Sequence, residues 1–416
     1  MKGSWFVFLA WILATTQVAA QDNRVDRVTP YAPELASYGK YDIGVRTITA
    51  TDRNRPDVLN TKPGGPTVRY DRTLTLEVWY PATLAAGQKP GGDYRAITRD
   101  PTLVVTLHGR AVRDANPLSG AAFPLVIVSH GYPGNRFLMS HLCENLASKG
   151  FVVVAIDHKD STYDDQKAFA STLYNRAFDQ LFVLNETARL GKPGSGSFLG
   201  GIVDASHTGI VGYSMGGYGV VNVVGGGYSR ASETFGQAPP NGLLAERGAA
   251  NPDFKKTLDS RIRAAIAVAP WGMPVGFWDA EGLKGIRTPV LFVAGSVDEV
   301  AGYEKGTRAI YQGAVNADRY LLTFVNARHN AGAPIPAPIE TYEYSTTLRS
   351  YPFEHYADAV WDSTRMNNIF DHFATAWFNL YLKDEAAMQD YLDSSWKGFK
   401  PRTAAGLILE HAAPAR

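Results

Sequence analysis

The chain has one cysteine, Cys143, in 416 residues, so it cannot form an internal disulfide. Cys143 lies between Leu142 and Leu146, where it reads as a small buried apolar residue rather than a nucleophile or metal ligand. An excess of one charge is also missing. Lys and Arg number 41 against 40 Asp and Glu, for a formal net charge of +1, with no basic stripe or acidic run. This argues against nucleic acid and anionic membrane surfaces as partners. The nine histidines show no paired ligand spacing, and no cysteine pair exists, so no metal is expected. No glycine-rich phosphate loop follows the first strand. Gly225-Gly226-Gly227 comes after a predicted helix and reads as a flexible break, so no cofactor is expected either. There is no internal repeat and no low-complexity tract.

Long apolar runs are equally scarce. Trp5 to Ala14 is apolar but shorter than the roughly 20 residues that span a bilayer. With Lys2 before it and Val18-Ala19-Ala20 after it, residues 1–20 read as a cleaved export signal. A secreted or periplasmic protein with no stable membrane span is the expectation. Residues 21–40 would be an amino-terminal extension.

The full chain is 45% hydrophobic, ample for a large core. Arg46 to Ala50 and Leu74 to Tyr80 read as an antiparallel edge. Six short apolar, partly β-branched runs follow: Leu125 to Ser129, Val152 to Ile156, Thr208 to Tyr213, Ala264 to Ala269, Val290 to Ala294 and Tyr320 to Val325. Such runs suit a parallel sheet covered on both faces. Helical stretches are predicted over Arg136 to Lys149, Asp165 to Leu190, Met215 to Val224 and Gly302 to Gln312. A last helix, Asn367 to Leu382, carries a core stripe of Phe370, Phe373, Trp377 and Leu380. The alternation predicts one α/β domain over 41–416, a mostly parallel, doubly wound sheet of about eight strands with helices on both faces. Two segments interrupt it, 225–260 and 331–361, and both read as lid-like insertions. Ala85 to Asp93 reads as a loop.

Against this frame, Gly212-Tyr213-Ser214-Met215-Gly216 stands out. A sharp turn from strand to helix lifts a serine clear of a sheet edge, and glycine on both sides permits the close backbone approach. A serine nucleophile needs a base, and the base needs an orienting acid. Asp298 and His329 follow later strands, so both fall at the sheet edge that carries Ser214. His329 would take the serine proton, and Asp298 would hold the imidazole in its tautomer. Glu299 is the neighbouring alternative acid. The negative oxygen of a tetrahedral intermediate needs N–H donors. Met215, just after the serine, and Tyr132, in the loop His130-Gly131-Tyr132-Pro133-Gly134, are the candidates, because Pro133 has no N–H.

Ser214, Asp298 and His329, in this chain order, resemble the α/β-hydrolase superfamily. Phe123 to Gly131, Leu146 to Val154, Ile156-Asp157-His158, Val45-Arg46-Thr47 and Glu77 to Pro81 resemble its dienelactone-hydrolase-like esterases. That branch includes the platelet-activating-factor acetylhydrolases and cutinase-like polyester hydrolases. The resemblance runs over roughly residues 40 to 330. Dienelactone hydrolases use a cysteine where this chain has Ser214. In the acetylhydrolases the acid follows an earlier strand, whose counterpart here is Ala269-Pro270-Trp271, with no carboxylate. That tripeptide is similar to the cutinase-like enzymes, in which an aromatic residue lines the cleft, so Trp271 and Tyr132 become candidate walls for an acyl group.

The expectation is a serine hydrolase acting on carboxylic esters, with a small-molecule or polymeric ester as partner. The same residues would serve an acyltransferase, an amidase or a polyester hydrolase, and the other alternative is a non-catalytic binding protein on this scaffold.

Overall fold

The computed structural model describes residues 22–415, and the expected export signal, 1–20, lies outside them. In chain order the strands are β1 (Asp42–Pro56), β2 (Arg69–Thr83), β3 (Gly92–Ile97), β4 (Val104–Gly109), β5 (Val112–Arg113), β6 (Asn116–Pro117), β7 (Phe123–Ser129), β8 (Val152–Asp157), β9 (Val203–Tyr213), β10 (Ile262–Val268), β11 (Val290–Gly295), β12 (Arg319–Phe324) and β13 (Leu407–Ala412). The α-helices are α1 (Ser140–Ser148), α2 (Phe169–Leu190), α3 (Met215–Val223), α4 (Ala280–Leu283), α5 (Arg308–Gly313) and α6 (Ser363–Leu382).

The main sheet has the order β13-β12-β11-β10-β9-β7-β8-β2-β1-β5, with β6 paired to β2. Strands β8, β7, β9, β10, β11 and β12 run parallel. Antiparallel β2 and β13 close the two sides of that block. The sheet therefore has 11 strands, which corrects the expected eight.

Alternation along each strand divides the core between the two faces. Val126, Val128, Val211, Ile266, Val268, Leu291 and Val293 belong to one buried cluster. Leu125, Ile127, Ile210, Ala265, Ala267 and Phe292 belong to the other. Leu142 and Leu146 of α1 and Phe370, Phe373 and Trp377 of α6 cover the first face, and Cys143 is fully buried among them. Leu173 and Leu184 of α2 and Tyr218 and Val221 of α3 cover the second. Helix α6 begins earlier than its apolar stripe, because the Asp362 carboxylate accepts the N–H of Arg365 at 2.7 Å and caps it.

β3, β4, β5, β6, β13 and α4 lie outside the sequence expectation. β3 and β4 form a separate two-stranded sheet. Tyr94 and Ala96 point inward and Asp93 and Arg95 outward, a half-buried pattern of period two. β13 is an edge strand of the same kind, with Leu407 buried and Ile408 exposed. Among the described residues no helix is long and apolar enough to cross a membrane.

Candidate active site

The loops that leave the carboxyl ends of β7, β9, β10, β11 and β12 converge. Ser214 sits between β9 and α3 with φ +53° and ψ −113°, a backbone state that a non-glycine residue holds only where its surroundings impose it. Those surroundings are specific. The Ser214 N–H donates to Val268 O at 2.8 Å, and Ser214 O accepts from Tyr218 N at 2.9 Å. A Cβ on Gly216 would lie 2.0 Å from Ser129 O, and one on Gly212 would lie 2.2 Å from Gly216 C. Both flanking positions therefore require glycine.

His329, in the loop after β12, has Nε2 2.9 Å from Ser214 Oγ. Its Nδ1 lies 3.0 Å from both carboxylate oxygens of Asp298, in the loop after β11. An ionised carboxylate only accepts, so Nδ1 carries the proton and Nε2 is free to accept the serine O–H. Asp298 Oδ1 also accepts Val300 N at 2.8 Å and Ala301 N at 2.9 Å. Burial alone would raise the Asp298 pKa. The His329 hydrogen bond and charge and the two amides outweigh it and hold the carboxyl below its usual range. The Asp298 side chain is 0% exposed, that of His329 12%, and Ser214 as a residue 7%. Glu299 points elsewhere, with Oε1 2.6 Å from Arg328 Nη2.

The His130-Gly131-Tyr132 loop lies against Ser214. A Cβ on Gly131 would stand 3.2 Å from Ser214 Cβ. Met215 opens α3, so its N–H is among those a helix leaves without an internal partner. The loop is anchored from below. Arg176 of α2 donates from Nη1 to His130 O at 2.7 Å. His130 Nε2 accepts His158 N at 3.2 Å, which places its proton on Nδ1, 2.6 Å from Gly131 O.

Beneath lies a second chain of the same residue types. Ser129 Oγ is 2.8 Å from His158 Nε2, and His158 Nδ1 is 3.0 Å from Asp179 Oδ2. All three are buried, and Asp179 is shared with Arg72 and Arg55. With no solvent access, this chain braces the loop rather than meeting a substrate. Burial, then the Arg176 charge, push His158 down to about 3, so it stays a neutral acceptor.

The cleft over Ser214 holds about 240 Å³. Sites for drug-sized ligands run to roughly 300–1,000 Å³, so this one suits a small group. Tyr132 lines it. Trp271 is not among its lining residues. It donates its N–H to Ser214 O at 3.3 Å and packs against Phe169, Phe277 and Phe235, with ring centroids 5.3, 5.4 and 6.0 Å away. The aromatic row runs from Tyr132 to Phe169 to Trp271.

Sequence reasoning missed four residues here. The Tyr213 ring packs 5.2 Å from that of His329, and its hydroxyl donates to Asn330 Oδ1 at 2.8 Å. Tyr213 lay inside the pentapeptide, but nothing in the pattern marks the orientation of its ring. Arg99, Glu354 and His355 also line the cleft. The last two come from the 331–361 segment, which therefore borders the site. The 225–260 segment supplies no lining residue to it. Among the described residues no group of three or more His, Cys, Asp or Glu is arranged to hold a metal ion.

The family described as platelet-activating factor acetylhydrolase, isoform II, matches residues 88–180. Cutinase est1 of Thermobifida alba is 26% identical over 52% of this chain and 56% of its own length. The platelet-activating factor acetylhydrolase of Cavia porcellus is 26% identical over 47% of this chain and 45% of its own. The chain spans about half the length of the curated relatives it matches. A solved structure, the ferulic acid esterase from Streptomyces cinnamoneus, superposes with a TM-score of 0.60 at 20% identity, covering 94% of this chain and 99% of that one. The architecture is an α/β-hydrolase fold. Within that fold the chain is similar to cutinases and to platelet-activating factor acetylhydrolases.

Proposed function

We propose that this protein is an exported serine esterase that hydrolyses carboxylic esters through an acyl-Ser214 intermediate. The carrying observation is the bridging imidazole: His329 reaches Ser214 Oγ with one nitrogen and Asp298 with the other. In this reading Ser214 Oγ attacks the ester carbonyl carbon while His329 Nε2 takes its proton. Asp298 stabilises the imidazolium that forms. The N–H groups of Tyr132 and Met215 hold the negative oxygen. His329 then returns the proton to the departing alkoxide, which leaves as the alcohol. Water, deprotonated by His329, releases the acid and restores Ser214. Relatives named as cutinase and as acetylhydrolase support ester chemistry. In this reading residues 1–20 are removed on export and the enzyme acts in the periplasm or outside the cell.

A fluorophosphonate probe should label Ser214 in the wild type. Ser214→Ala should lose labelling and at least about 10,000-fold in turnover of short p-nitrophenyl esters, with its fold intact. A variant that keeps full activity ends the proposal. Added alcohol as competing acceptor separates hydrolysis from acyl transfer, and the matching amides test amidase action.

A further inference from the structure

Among the described residues, one cation of the cleft forms no ion pair. Two arginines line it. Arg328 is neutralised by Glu299 at 2.6 Å. Arg99 follows β3 and is half-buried, and among the described residues it has no carboxylate within ion-pair distance. Its position is fixed from outside its own loop, because its backbone N–H donates to Tyr356 Oη at 3.0 Å. Asp100, the next residue, feels the Arg99 charge, but its carboxylate accepts from Thr102 Oγ1 and Ser345 Oγ and forms no ion pair with Arg99. Burial, then the Arg99 charge, push His355 down to about 3, so that ring is neutral. His355 Nε2 is buried and has no hydrogen-bond partner. Glu354, the other carboxylate on the lining, is exposed and keeps its water.

A guanidinium partly stripped of water pays a desolvation cost that only an anion returns in full. Its planar fork matches a carboxylate in two parallel hydrogen bonds. We infer that Arg99 is a specificity residue that recognises a carboxylate on the substrate, so that the favoured esters carry a free acid group away from the scissile bond. This rests on the esterase reading and deepens it by naming the substrate class.

The test uses two matched pairs. One is the mono-p-nitrophenyl ester of glutaric acid and its neutral methyl ester, with the charge on the acyl side. The other is 4-acetoxybenzoate and its methyl ester, with the charge on the alcohol side. For one pair, the ratio of kcat/KM for the anionic to the neutral ester should fall about tenfold or more from wild type to Arg99→Gln. Arg99→Lys should retain part of it. High salt should lower the wild-type ratio, which keeps the test decisive where Arg99→Gln does not fold. A second readout needs no turnover: benzoate should raise the wild-type Tm more than benzamide does, and Arg99→Gln should lose that difference. Ratios within twofold of wild type for both pairs, or benzoate acting equally on both proteins, overturn the inference. A wild type that hydrolyses no ester overturns the esterase reading instead, while the benzoate measurement still decides on Arg99.

Discussion

Ser214 Oγ and His329 Nε2 are 2.9 Å apart, although 115 residues separate them along the chain. Strands β9 and β12 make this possible. Both run in the same direction, so the loops that leave them emerge at one edge. The contact thus follows from strand direction, and its chemistry follows from the Asp298 carboxylate behind the ring.

Asp298→Asn should lower kcat about 1,000- to 10,000-fold on a p-nitrophenyl ester, because an amide does not hold Nδ1 protonated or stabilise an imidazolium. Glu299→Gln, which breaks only the half-exposed pair with Arg328, should cost far less in kcat and within about 0.5 kcal/mol in stability. Equal losses in the two variants would overturn the assignment of the acid.

Gly216→Ala should destabilise the protein by about 1–3 kcal/mol or more, read from urea unfolding. The added methyl meets Ser129 O, a backbone atom beneath the turn, at 2.0 Å. A variant as stable as the wild type would mean that the turn is looser than described.

Acid should weaken the fold through three buried histidines. Burial pushes His158, His355 and His372 each down to about 3 from an ordinary 6.5, with nearby cations adding to it. Between those values the unfolded chain binds protons that the folded chain refuses, so stability rises with pH across that window. It is complete above 6.5 and is lost as pH falls toward 3. The Tm should therefore be lower at about pH 4.5 than at about pH 7.5. An equal or higher Tm at the lower pH would contradict the burial of these rings.

Trp271→Ala should act on stability more than on substrate affinity. The ring packs on Phe169, Phe277 and Phe235 outside the cleft, so its loss should cost about 2–4 kcal/mol, with a small change in KM for a short ester. A large KM effect with unchanged stability would restore the role of acyl wall.

Much of this protein was legible along the chain. The parallel block shows in its continuous apolar runs, because a strand covered on both faces has no polar side. The elbow shows because only glycine tolerates the backbone approaches around Ser214, and chain order then points to Asp298 and His329. The β3–β4 hairpin and β13 escaped notice because they are short, half-buried strands outside the alternation of strand and helix. Arg99 was hidden because no local pattern tells a surface arginine from one facing a cleft. Sequence by itself determined which residues could react and in what kind of sheet. The fold alone decided which groups meet: that Trp271 packs away from the cleft, that Glu299 turns to Arg328, and that, among the described residues, Arg99 lines the cleft without an ion pair. Side-chain direction and burial arise from contacts between distant segments, and no local stretch of chain contains them.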